Sequence, residues 1–168
     1  DRLDIGEVLD NAEFGECTMM TQADIALEKG NPQINIDTLV VDKLYAHGHE
    51  YTNISAGGYY SKQDIHASLT STDPELLMSL QAEHVKADNV EDGYFQIYAD
   101  VKRANLDALN LYKHGTSTLS FNADGFINET TRGGINGDIQ FNDLILQDVN
   151  GLHNIGNLLI TAKLEDNE

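Results

Sequence analysis

Apolar and polar residues alternate along most of this chain. Ala23, Ile25 and Leu27 are interleaved with Asp24, Ala26 and Glu28, and Ile34 and Ile36 with Asn35 and Asp37. Ile65, Ala67 and Leu69 follow the same rule, as do Phe95, Ile97, Ala99 and Val101. Further on, Leu119, Phe121 and Ala123, then Ile139 and Phe141, then Leu158, Ile160, Ala162 and Leu164 continue it. Successive side chains of a strand point to opposite faces, so a period of two gives each segment one apolar and one polar face. The pattern predicts an all-β chain. Gly30-Asn31-Pro32, Gly57-Gly58 and Gly133-Gly134 read as the turns between strands.

One stretch carries two signals. Asp73-Pro74-Glu75 resembles a helix opening, with an N-cap Asp, Pro at the first position and an acid in the first turn. Leu76, Leu77, Leu80 and His84 would follow as one short helix near 73–84. Leu76, Met78, Leu80 and Ala82 also alternate with Leu77, Ser79, Gln81 and Glu83, and the strand is the favoured reading.

The chain also repeats itself. Leu44-Tyr45-Ala46-His47-Gly48 returns as Leu111-Tyr112-Lys113-His114-Gly115, an offset of 67 residues. At that offset Leu39 matches Leu106, Ile54 matches Phe121, Ala56 matches Ala123 and Gly58 matches Gly125. Asp64-Ile65 then matches Asp138-Ile139 at an offset of 74, which predicts a longer loop near Asn128–Asn136 in the second copy. A fixed period implies stacked β units rather than one closed core. The expected organisation is a leading strand or strands over 1–30, a first unit over 31–90 and a second over 91–168. Beginning at Asp1-Arg2-Leu3 and ending in Glu165-Asp166-Asn167-Glu168, the chain reads as a piece of a longer polypeptide.

Charge narrows the partners. The 28 acidic and 10 basic residues among 168 give a formal net charge of −18. Such a surface repels phosphate backbones, so no nucleic-acid partner is expected. The 14 glycines and two prolines suit short strands joined by tight turns. A single cysteine, Cys17, excludes an internal disulfide and reads as a small buried hydrophobe.

Candidate chemistry is thin. His47 and His49 at i and i+2 would share a strand face, but a zinc site needs three or four convergent ligands and the acids are scattered. His47 and His114 hold equivalent places in the repeat, which suggests turn or edge positions. The Ser120–Gly125 stretch fails as a calcium loop, because Thr131 stands where a Glu is needed. Gly133-Gly134-Ile135-Asn136-Gly137 lacks the Lys-Ser/Thr ending of a phosphate loop. No serine lies in a nucleophile-elbow context and Cys17 has no basic neighbour. No metal, cofactor or catalytic activity is expected.

The apolar strand face is what remains. In a sandwich it would be covered by a second sheet. In an array repeating along one axis it could line a trough, and the candidate lining is Ile34, Ile36, Ile54, Ile65, Leu69, Ile97, Leu119, Phe121, Ile139 and Ile160. An unfilled apolar surface of that extent marks a binding site for something apolar.

The stretch Leu119–Gly125, followed by Ile135–Leu144, resembles the repeats of the AsmA/TamB family, the translocation and assembly module proteins. Ser71–Leu80 and Leu106–Leu111 resemble runs in its members from Bacteroides-type bacteria, and the likeness spans roughly residues 34–164. It implies an elongated, curved, taco-like sheet with an apolar inner face, in a periplasmic protein whose parent is anchored in the inner membrane. It also implies an outer-membrane barrel partner, a role in envelope biogenesis, and phospholipid or an unfolded β-strand client in the groove. A homodimer formed through the open edges is one candidate partnership of such a fragment, and the sequence does not fix its oligomeric state. The strong negative charge is not something the family pattern explains. The competing expectation is a closed β-sandwich or solenoid module of a surface adhesin, with Tyr59, Tyr60, Tyr94 and Tyr98 available to stack on sugars. A β-helix polysaccharide lyase fits less well, because no short regular coil repeat is present.

Overall fold

The computed structural model describes residues 2–28, 31–61, 64–85, 94–113, 115–129 and 135–164. Ten strands form one antiparallel sheet in which spatial order equals chain order, from β1 to β10. They are β1 (Arg2–Asp4), β2 (Phe14–Glu28), β3 (Asn31–Ala46), β4 (His49–Tyr60), β5 (Ile65–Asp73) and β6 (Leu76–Val85). β7 (Tyr94–Asn105), β8 (Thr118–Glu129), β9 (Ile135–Asp148) and β10 (Gly151–Leu164) complete the meander. β1 and β10 are the two free edges, so the sheet is open. Among the described residues a single short helix, α1 (Ile5–Leu9), follows β1 and is capped by Asp4, whose carboxylate accepts from the Glu7 amide.

Segment 73–84 resolves as strand. Asp73 ends β5, Pro74 and Glu75 make the turn, and β6 then pairs on both sides, with β5 and with β7. Two full ladders outweigh a local capping signal that a two-residue turn uses equally well. The Gly57-Gly58 pair corrects the other way, because both residues lie inside β4. A Cβ on Gly58 would stand 2.5 Å from the His66 carbonyl oxygen, so glycine is needed here for close approach of two strands. Asn31 and Pro32 belong to the start of β3, while Gly30 and the Gly133-Gly134 turn lie outside the described residues.

The two matching pentapeptides adopt different structures. Leu44–Ala46 close β3 and His47-Gly48 form its turn, both with positive φ, whereas Leu111–Lys113 belong to the long connection between β7 and β8. Because His47 sits in a turn, it and His49 do not share a strand face. Elsewhere the offsets coincide: Ile54 and Phe121, and Gly58 and Gly125, hold like positions on β4 and β8. The expected longer loop near Asn128–Asn136 falls partly outside the described residues.

Candidate functional site: a one-layer apolar sheet face

Cross-strand pairs lie on the same face of a sheet, so the register can be followed from strand to strand. One row runs Ala23, Ile36, Gly58, Ala67, Ala82, Ile97, Gly125, Ile139, Ile160 across β2 to β10. The next runs Leu39, Ala56, Leu69, Leu80, Ala99, Ala123, Phe141, Leu158 across β3 to β10. A third contains Val41, Ile54, Ser71, Met78, Val101 and Phe121. Ile34 pairs with Tyr60, which pairs with Ile65, and Leu119 pairs with Ala104 beside the third row. All ten candidate lining residues therefore share one face.

Side-chain size along these rows shapes the surface. Ile36 and Ile97 stand at either side of Gly58, Ala67 and Ala82, where little or nothing projects from the backbone. The result is a cavity of about 410 Å³ over β3 to β6, walled by Ile34, Ile36, Leu39, Ile65, Leu69 and Leu80 and floored by the small residues. Ile54 lies beyond it on the same face, and Ile97, Leu119, Phe121, Ile139 and Ile160 extend the face over β7 to β10.

One end of the face is covered. The connection Leu106–Ser117 folds back over it, and Leu109, 1% exposed, packs with Val101 and Ala104 against Tyr51, Leu76, Met78 and Phe121. Leu106 N–H donates to Ser117 O at 2.8 Å, Leu109 N–H to Asn105 O at 3.0 Å, and Leu111 N–H to Leu106 O at 2.8 Å. Asn110 takes a positive φ of 57°, which turns the chain back. These bonds fix the connection as a built plug. Its signal in the sequence is Leu106 and Leu109 at one-turn spacing within an otherwise alternating chain.

A buried polar knot lies beside the plug. Asp73 is 2% exposed. Its Oδ2 accepts from the Thr52 amide at 2.7 Å and hydroxyl at 3.1 Å, and its Oδ1 accepts from the Glu75 amide at 2.8 Å. His49 Nε2 stands 3.5 Å from Oδ1 and its ring packs edge-on against Tyr51. Burial pushes the Asp73 carboxyl up, but these hydrogen bonds and the neighbouring His49 outweigh it and hold the group below the usual carboxylate value. Ser71 donates to Leu76 O at 2.7 Å and closes the turn. This arrangement ties β4, β5 and β6 together; every oxygen of Asp73 is engaged within the fold.

Of the other histidines with described side chains, His47 pairs with Glu13, His66 with Glu83 and His153 with Asp148, while the His84 ring packs against Phe95. No group of three metal-ligating side chains converges among the described residues. Cys17 is buried, and burial raises its thiol pKa, which disfavours the reactive thiolate. Of the tyrosines, Tyr60 lies on the apolar face, while Tyr94 and Tyr98 lie on the opposite one, where Tyr94 borders a shallow polar depression with Gln96, Asp124, Asp138 and Gln140. No helix is long and apolar enough among the described residues to cross a membrane.

The fold and face define an open, single-layer antiparallel meander with one continuous apolar surface. Comparison with protein-family models, with curated proteins and with solved structures finds no match.

Proposed function

We propose that this chain is a non-catalytic segment of a TamB-like periplasmic envelope protein, and that its apolar face carries phospholipid acyl chains. The observation that supports this most is the uncovered row from Ala23 to Ile160, nine strands wide, with no second sheet over it among the described residues. A closed sandwich would bury such a row, yet Ile160 within it is 47% exposed, and Ile25, on the same face beside Ala23, is 75% exposed. Apolar surface left in water is unfavourable by about 25 cal/mol per Å², so a protein that keeps it exposed has an apolar occupant for it. The cavity of about 410 Å³ over Gly58, Ala67 and Ala82 is lined mainly by apolar side chains, which suits a flexible hydrocarbon chain. The resemblance to the TamB family, carried by the segments within residues 34–164, points the same way.

The test is native mass spectrometry of the chain purified from a bacterial host, with extraction and identification of co-purified lipid. Bound phospholipid that disappears in Ile36→Asp and Ile97→Asp, while circular dichroism stays that of a folded sheet, is the expected result. A lipid-free protein that also takes up no phospholipid from vesicles would overturn the reading.

A further inference from the structure

The apolar face differs between the two ends of its strands. On the side away from the plug a further row runs Ile34, Tyr60, Ile65, His84, Phe95, Ile127. His84 falls in line because β5 and β6 pair through His66 and Glu83, and one step outward along both strands sets Ile65 opposite His84. The row is a rim: β4 stops at Tyr60, β5 starts at Ile65 and β6 stops at Val85. Within it Tyr60 and His84 carry polar side-chain atoms, whereas the rows from Ala23 to Ile160 and from Leu39 to Leu158 are built of apolar side chains and glycine. Tyr60 is 43% exposed and borders the cavity, and the His84 ring leans on Phe95 with centroids 5.1 Å apart. The other end also has polar groups, but there Asp73 is buried beside the plug and takes its hydrogen bonds from Thr52 and Glu75.

We infer that the cavity over β3 to β6 holds a phospholipid in one direction, its acyl chain running toward Leu109 and its glycerophosphate end at Tyr60 and His84. This rests on the lipid reading above and adds to it an orientation and two specificity-determining residues. Length fits. Met78 is the β6 residue packed against the plug, and His84 lies 84 − 78 = 6 residues away, roughly 20 Å at about 3.3 Å per residue. One leaflet contributes about half of the ~30 Å hydrocarbon core of a bilayer, so a membrane-length chain fits between rim and plug. Polarity sets the direction. A phosphate drawn along the apolar rows would lose its water and gain no hydrogen bond. At the rim the Tyr60 hydroxyl and a His84 ring N–H can donate to phosphate and ester oxygens, which only accept. The backbones of the two residues stand two strand spacings apart, roughly 10 Å, so the pair brackets a head group rather than a single atom.

Photocrosslinking on the unmodified full chain reads the orientation directly, with labelled residues mapped by mass spectrometry. Phosphatidylcholine carrying a diazirine at the acyl terminus should label Met78 and the Leu106–Leu111 stretch. The same lipid carrying the diazirine on its head group should label Tyr60 and His84. Tyr60→Phe or His84→Leu should lower the preference for phosphatidylcholine over a diacylglycerol of the same chains by about fivefold to tenfold, the loss of one donated hydrogen bond. Reversed labelling, the same labels from both probes, or a preference indifferent to both variants would overturn the inference while leaving lipid binding in place. A chain that takes up neither lipid would overturn the lipid reading and this inference with it.

Discussion

Asp73 and Leu109 each hold a junction that several strands share. The folded-state pKa of Asp73 lies below its ordinary value, so the residue stabilises the fold at pH values above the usual carboxylate range. That contribution is lost as pH falls through the depressed folded value, because only the charged form accepts all three donated hydrogen bonds. Acid unfolding followed by fluorescence or circular dichroism should therefore be steepest below the ordinary carboxylate pKa. Asp73→Asn should flatten that limb and cost about 2–3 kcal/mol at neutral pH, by leaving a buried donor facing donors. Leu109→Ala empties the centre of the plug and should cost about 2–4 kcal/mol in urea denaturation. Leu109 packs on Val101 and Ala104 of β7 to form a cluster of buried apolar side chains, so the loss should be felt along β7.

At the scale of elements, most strands were legible because period two is written into β2, β3 and β5 to β10, whereas the three-residue β1 and β4, with its Gly57-Gly58 pair, carry no such signal. What escaped was decided by contact rather than by local sequence. Gly57-Gly58 looks like a turn because glycine permits one, yet the 2.5 Å approach of the His66 carbonyl to an imagined Gly58 Cβ gives it a different duty. The Asp73-Pro74 opening is the same for a helix and for a tight turn, and only the partner strands on both sides choose. The five-residue α1 has a capping Asp4 but too little apolar periodicity to be seen. The face shared by the ten candidate residues was legible in part, since alternation separates the two sides of each strand. The register that joins those sides into one surface, and the plug that closes one end, are products of pairing and of a loop's return path. A direct check on the floor of the cavity is Gly58→Val. Its side chain should collide with the neighbouring strand and cost about 1–3 kcal/mol. If the mutant still folds, it should also weaken acyl-chain uptake by filling the depression.

For the whole molecule, charge and shape act together. A body of net charge −18 with one apolar face should discriminate among lipids by head group. Transfer from vesicles of a zwitterionic phospholipid should exceed transfer from an anionic one of the same chains, and the difference should shrink as salt shortens the screening length to about 3 Å near 1 M. The order of the strands carries a mechanical consequence. Every strand is hydrogen-bonded only to its neighbours in the chain, so the sheet is quasi-one-dimensional. Tension applied at the two ends would load the outermost ladders hairpin by hairpin rather than shearing the sheet as a block. Stretched between two anchors, the molecule would lengthen in a series of small steps from its edges inward, and would refold by zipping each hairpin back onto the last.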